Sequence, residues 1–144
     1  MDGFQEAITG IQSIKSVDDV VELENLQAAL DRLFQSPSQT EQIMKTLFGL
    51  YERFPKSDGY GAFWTVLHGL EKLPGYEPHL KASVKRQPME FTLRMIGRIL
   101  NSDLPNNQRQ EWLTLLNEVV SNPLSDDEAK ADAKHIIEHQ SKRT

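Results

Sequence analysis

Apolar residues recur along this chain with the spacing of one face of an α-helix. In the first segment the recurring positions are Phe4, Ile8, Ile11 and Ile14. A spacing of three to four residues returns a side chain to the same side of a helix, whereas a strand alternates at every second residue. No run of four or more strictly alternating residues stands in a β-rich context. The pattern therefore predicts an all-α protein.

Capping residues mark where the next helices begin. Ser16 with Asp19 predicts the start of a second helix, and Ser38 with Glu41 has the capping-box spacing that opens a third. The second helix is apolar over so much of its circumference that we expect its neighbours to enclose it. Its apolar positions are Val20, Val21, Leu23, Leu26, Leu30, Leu33 and Phe34.

Turn residues and prolines divide the rest of the chain. A turn ending at Gly59 leads to a helix over about 60–72, and Ser125 with Glu128 forms a capping box that opens the last helix. Prolines suit the first turn of a helix because the amide that they lack has no partner there. Those placed to open a helix are Pro78, Pro88 and Pro105.

These boundaries predict about eight short helices in a single domain over residues 1–144. Short connections make sequential helices pack antiparallel, as stacked hairpins similar to HEAT repeats or as a compact bundle. We favour the hairpin stack because several helices are apolar on more than one side, as helices inside a stack must be. Gly49, Gly69 and Gly97 lie within helices, where glycine is expected if two backbones approach closely.

Composition narrows the chemistry that the chain can perform. Of its 144 residues, 38% are hydrophobic, 26% are charged and none is cysteine, which excludes disulfides, thiol nucleophiles and thiolate metal sites. The apolar runs are far shorter than the roughly 20 residues that cross a bilayer, and no basic leader precedes them. We therefore expect a soluble, cytoplasmic protein without a membrane partner.

Charge is unevenly distributed along the chain. The net charge is −5 in total, from −5 over residues 1–35, +3 over 36–102 and −3 over 103–144. A nucleic-acid binder needs a dominant cationic surface, which this chain lacks, so no nucleic-acid partner is expected. Acidic ends can attract a basic protein partner, although acidic proteins are common for other reasons.

One string has the spacing of a catalytic metal site. His135, Glu138 and His139 match the H-x-x-E-H pattern, in which two histidines four apart share a zinc ion. The helix buries Ala129, Ala133 and Ile136 instead, and little chain remains to supply a third ligand, so we interpret the string as a solvated terminal helix. Neither a G-x-S-x-G nor a phosphate-binding glycine motif is present. We expect neither an enzyme nor a bound cofactor or metal.

The best candidate for a contact surface lies in residues 57–79. A helical wheel places Trp64, His68 and Glu71 along one edge, and tryptophan is a favoured interface anchor. The alternative is that Trp64 closes the core and the other residues are ordinary surface. The candidate partner-binding residues are Asp58, Tyr60, Trp64, His68, Glu71, Tyr76 and Glu77.

A second feature is a stripe of cations at a spacing of four residues. It consists of Lys81, Lys85, Arg94 and Arg98 on two successive helices. Such a stripe can bind phosphate, but we interpret it as a solvated face.

Several segments of the chain resemble a known family. They include RFPKSDGYGAFW at 53–64, LEKLPGYEP at 70–78, SVKRQP at 83–88 and much of 95–101. Over about residues 28–122 the chain resembles small all-helical immunity proteins of contact-dependent growth inhibition and related polymorphic toxin systems.

The resemblance implies a cytoplasmic antidote that binds a toxin and blocks its active site. The partner would be the cognate toxin C-terminal domain of a neighbouring cell, often a nuclease. Contact residues in such families vary with the toxin, so the resemblance assigns no binding residue. A helical-repeat adaptor with an unrelated partner is the alternative function.

Overall fold

A computed structural model describes residues 3–35, 38–57 and 59–142. Within these ranges the chain forms eight α-helices and no β-strand, which confirms the predicted all-α class. A single 3-10 turn, Gly59–Gly61, precedes the fourth helix. The helices are α1 (Gly3–Gln12), α2 (Val20–Leu33), α3 (Thr40–Arg53), α4 (Ala62–Glu71), α5 (Tyr76–Arg86), α6 (Glu90–Leu100), α7 (Asn106–Ser121) and α8 (Asp127–Ser141).

The helices are arranged as four stacked hairpins. Each helix packs against its hairpin partner and against the helix two positions along the chain. The odd-numbered helices therefore form one layer and the even-numbered helices form the other. This is the neighbour pattern of a helical-hairpin stack, the architecture that the sequence favoured. Helices α4, α6 and α8 consequently lie side by side, although they are far apart in sequence.

An aromatic cluster fixes the middle of the stack. The rings of Tyr51 (α3), Phe63 (α4) and Phe91 (α6) are fully buried, with centroids 5.0–5.7 Å apart. The Tyr51 hydroxyl donates a 2.7 Å hydrogen bond to the carbonyl oxygen of Phe63. Burial, and secondarily the charge of Glu71, raises the pKa of Tyr51, which keeps this donor protonated. The cluster therefore holds three helices in register.

Helix caps differ in detail from those that the sequence predicted. The start signal of Ser16 with Asp19 lies just before α2, but the cap is Asp19, which accepts from the amide of Glu22 at 3.0 Å. The expected capping box at α3 is wrong, because the cap residue is Gln39 and its side chain accepts no hydrogen bond. At α8 the capping side chain is Asp126, because the hydroxyl of Ser125 donates to Val119 in α7 instead.

The expectation that α2 is enclosed is wrong. Val20 and Val21 are 68% and 63% exposed, and only its later apolar residues reach the core. The reason is the position of α2 in the stack. It belongs to the terminal hairpin, so within its own layer it packs against α4 alone.

The expected close approach of two backbones is found at none of the three helical glycines, although a side chain approaches one of them closely. A Cβ added at Gly69 would lie 2.0 Å from the ring of Phe34, so this glycine lets a side chain pack against the helix backbone. At Gly49 an added Cβ would meet nothing within 4 Å, and at Gly97 it would make only ordinary contact with Ile136 at 3.7 Å. Close approach therefore explains Gly69 alone.

Polar groups inside the fold are satisfied. In the described ranges no buried side-chain nitrogen or oxygen lacks a hydrogen-bond partner. Arg109 illustrates the arrangement, since its guanidinium donates to the carbonyl of Leu100 and to the side chain of Gln140, both at 2.8 Å. None of the eight described helices has the length and apolar composition of a membrane span.

Candidate functional site

The predicted contact residues begin with an exposed tyrosine in an unusual backbone conformation. Tyr60 lies in the left-handed region (φ 47°, ψ 46°), and its side chain is 70% exposed. Gly59 and Gly61 on either side also have positive φ. A non-glycine residue in this conformation costs of order 1–3 kcal/mol, and such residues cluster at functional sites. The turn thus presents an aromatic ring one helical turn before Trp64.

Trp64 combines packing with exposure. Its ring meets Phe91 edge-on at 5.3 Å and stacks on His68 at 5.9 Å, while the Arg94 guanidinium lies 5.1 Å from the ring centroid. The residue nevertheless remains 38% exposed. Trp64 therefore packs against the aromatic cluster at Phe91, while more than a third of the residue stays open to contact.

Glu71 is not a free carboxylate. It accepts two hydrogen bonds from Arg98, at 2.7 and 3.0 Å, and this bidentate pair raises the pKa of the guanidinium. Such pairs have a fixed geometry, so Glu71 and Arg98 lock α4 to α6. The charge of Glu71 is therefore paired within the protein and is not free to bind a partner.

The other predicted contact residues continue from the same edge. Tyr76 is half-buried, and burial together with the charges of Glu77 and Glu71 raises the pKa of its phenol, against the effect of Arg98. Glu77 is exposed. Asp58, the remaining residue of this set, lies outside the described residues.

An open groove of about 630 Å³ lies beside this edge. Its lining comes from one face of α6, between Glu90 and Asn101, from α8 between Glu128 and Ile136, and from Trp64 of α4. We call it the α6/α8 groove. The eleven-residue step along α6 corresponds to about 16 Å, or three helical turns. Trp64 thus belongs to both the predicted edge and the groove.

The groove has an acidic side formed by α8. Glu128 and Asp132 lie one helical turn apart, and neither has a salt-bridge partner among the described residues. Desolvation and the charge of Glu90, with smaller effects from Glu128 and Asp126, raise the pKa of Asp132, while Arg94 lowers it. The carboxylates therefore repel one another in the folded protein.

The cationic stripe divides between the two layers. Arg94 and Arg98 line the α6/α8 groove, whereas Lys81 and Lys85 line a separate shallow groove between α5 and α7. Arg94 and Arg98 both form salt bridges within the protein, Arg94 with Glu90 at 2.9 Å and Arg98 with Glu71. The four cations therefore do not form one surface.

The H-x-x-E-H string lies on the exposed side of α8. His135 lines the groove, and Glu138 and His139 are exposed. Across the described ranges, no three His, Asp or Glu side chains are placed to hold a metal ion. His135 therefore contributes to the lining of the α6/α8 groove.

The α8 side of the groove was missed by the sequence reasoning. Glu128 and Asp132 are far in sequence from Trp64, and only the pairing of α4 with α6 and of α6 with α8 brings them near it. The expected hairpin stack contained that information, because alternate helices share a layer. The sequence indicated that Arg94 and Arg98 lie on one face of a helix, but it did not indicate that they pair with Glu90 and Glu71.

No family model, curated protein or solved structure matches this chain.

Proposed function

We propose that this protein is an immunity protein that binds and neutralises a cognate toxin domain, a nuclease, in contact-dependent growth inhibition or a related interbacterial system. It acts in the cytoplasm and catalyses no reaction itself. The observation that carries the proposal is the exposed aromatic edge of Tyr60 and Trp64, built on a rigid core and continuous with the α6/α8 groove. The family resemblance of residues 28–122 adds to it.

A preformed surface supports an inhibitory role. The buried rings of Tyr51, Phe63 and Phe91 hold the helices under the edge, and the pair of Glu71 with Arg98 locks α4 to α6. A surface that is ordered before binding loses little conformational entropy on association, which favours tight complexes. An antidote must capture a toxin before it acts, so this rigidity suits the proposal.

The composition of the edge is that of a binding hot spot. Tryptophan, tyrosine and arginine dominate the binding energy of interfaces when polar groups surround them. Here the ring of Trp64 is bordered by Arg94 and His68, and Tyr60 stands one turn away. The toxin would bury these rings in the complex.

Charge supports a basic partner. The chain carries a net charge of −5, and a nuclease presents cations to the phosphates of its substrate. Opposite potentials accelerate encounter, which matters for an inhibitor that competes with an abundant substrate.

Growth rescue tests the proposal directly. The proposal requires a toxin domain encoded beside this gene, and that domain is expressed from an inducible promoter with and without this protein. We expect restored growth and a stable complex on gel filtration. The comparison variant is the same chain with Trp64→Ala, which we expect to keep its fold, checked by circular dichroism, and to protect less well. Cell death despite both proteins, with separate elution, would refute the antidote.

The hairpin stack is also compatible with a second function, that of an adaptor. Stacked helical hairpins present extended binding surfaces and serve as adaptors. An adaptor would form a complex without protecting growth, so the same experiment separates the two functions.

A further inference from the structure

We propose that the α6/α8 groove receives a lysine- or arginine-bearing segment of the toxin domain, with its aliphatic stem on the groove floor and its charge against Glu128 and Asp132. The inference rests on the proposed function, because it identifies the part of the toxin that this protein would engage. It extends the contact surface from the edge at Trp64 to the opposite side of the groove.

The floor of the groove suits an aliphatic stem. Gly97 of α6 and Ile136 of α8 are partly exposed and contribute apolar surface, with the buried Leu93 behind them, and Trp64 also lines the groove. Long cationic side chains bury their methylene groups along apolar surfaces while the charged end reaches a polar partner. Gly97 keeps the floor open, since an added Cβ would point toward Ile136, 3.7 Å away.

The charges of the groove select a cation. Arg94 is neutralised by Glu90 and Arg98 by Glu71, through hydrogen bonds of 2.7–3.1 Å. Neither Glu128 nor Asp132 is in a salt bridge within the described residues, although the charge of Arg94 acts on Asp132. A cation from outside would meet two carboxylates that no internal cation pairs with directly.

The same pairs disfavour an anionic ligand. An acidic segment would have to displace Glu90 from Arg94 or Glu71 from Arg98, and each displacement breaks a charge-assisted hydrogen bond within the protein. It would also approach Asp132, whose surroundings already repel negative charge. The groove therefore favours a positively charged segment over a negatively charged one.

Binding of a cation also removes a cost that the fold carries. Burial, followed by nearby carboxylates, disfavours the charged form of Asp132 and raises its pKa, against the effect of Arg94. A positive charge at the groove offsets both effects. Sites at which a protein accepts such a cost are frequently functional.

The test measures two ligands with charge-neutralised variants. Glu128→Gln with Asp132→Asn removes the two carboxylates, and Glu24→Gln with Asp31→Asn removes the same charges from exposed positions on α2. The ligands are the toxin domain encoded beside the gene and a labelled helical peptide of leucine and lysine. A peptide with glutamate in place of lysine is the control ligand.

We expect the groove variant to bind the toxin and the lysine peptide about tenfold more weakly than the wild type, and the α2 variant to bind them as the wild type does. Unchanged toxin affinity in the groove variant would overturn the groove inference and leave the antidote intact. If the wild type does not bind the toxin, the proposed function fails. The peptide then decides the groove: selective loss in the groove variant supports it, and equal binding of the glutamate peptide overturns it.

A steric pair of variants gives an independent measurement. Gly97→Leu fills the groove floor without changing charge, and Gly97→Ala adds only a methyl group. We expect Gly97→Leu to weaken both ligands at least tenfold while Gly97→Ala retains most affinity. Equal affinities of the two variants, with both folded by circular dichroism, would overturn the proposal.

Discussion

The protein has two tryptophans, and a cation lies over the ring of each, but one tryptophan is buried and the other is exposed. On the odd-numbered layer, Lys81 lies 4.9 Å from the ring of Trp112 and pairs with Glu111 at 3.2 Å. Trp112 is only 3% exposed. On the even-numbered layer, Arg94 lies 5.1 Å from the ring of Trp64, which remains 38% exposed beside an open groove.

The difference shows that a local motif does not decide between core and contact surface. A cation above a tryptophan stabilises the ring in both places. Their surroundings differ: Trp112 is enclosed by the core, whereas Trp64 packs on the core at Phe91 and faces an open groove that Glu128 and Asp132 also line. We therefore place the proposed contact surface on the even-numbered layer.

The largest effect on stability should come from the buried tryptophan. Trp112→Ala removes a core ring and should lower the free energy of unfolding by roughly 3–5 kcal/mol. The folded fraction should bind the toxin as the wild type does, because the change lies on the other layer. Chemical denaturation measures the first quantity and titration calorimetry the second. A stability loss below about 1 kcal/mol would show that Trp112 is not part of the core.

Trp64→Ala should reduce toxin binding more than it reduces stability. We expect a loss of about 1–2 kcal/mol in stability, from the contact with Phe91, and a loss of about 2 kcal/mol or more in toxin binding. The same two measurements apply, with Trp64→Phe as the control that keeps an aromatic contact. Wild-type affinity in a folded Trp64→Ala variant would exclude this edge from the interface.

Charge reversal at the end of the edge should act mainly on the rate of association. Glu77 is exposed, and Glu77→Lys should slow association with a basic toxin several-fold at low salt, with little change in stability. Added salt should shrink the difference, because exposed charges are screened over about 8 Å at physiological ionic strength. Stopped-flow mixing measures the rate. The same rate for Glu77→Lys and the matched Glu24→Lys would show that Glu77 is not near the contact.

The smallest effect concerns pH. Because the pKa of Asp132 is raised above its usual 3.8, the folded state holds its proton more tightly than the unfolded state does. Stability from this group is therefore lost as the pH rises from about 3.8 through the raised pKa. Asp132→Asn should melt slightly higher than the wild type at pH 7, and the gain should vanish near pH 3. A lower melting temperature at pH 7 would contradict the repulsion.

Local features of the fold could be read from the sequence, and their partners could not. Helical spacing placed the eight helices, and Ser16 with Asp19 marked the region where α2 begins, although the cap is Asp19 alone. Ser125 had equal capping chemistry, but Val119 in another helix takes its hydroxyl. Such competition depends on tertiary contact, which single-helix reasoning does not include.

The same limit applies to the candidate site. The helical wheel placed Trp64, His68 and Glu71 on one edge, since that requires only the geometry of α4. The pairing of Glu71 with Arg98, and the approach of Asp132 from α8, depend on which helices share a layer. The left-handed Tyr60 was signalled only by its two flanking glycines.

The central claim, that the toxin binds the even-numbered layer, is tested most directly by the two indole N–H signals. Nitrogen-15 spectra resolve one signal for each tryptophan, and Trp64→Phe and Trp112→Phe variants assign them. On addition of the toxin domain, we predict that the Trp64 signal shifts or broadens while the Trp112 signal keeps its position. A shifted Trp112 signal with an unchanged Trp64 signal would place the partner on the opposite layer and contradict the account.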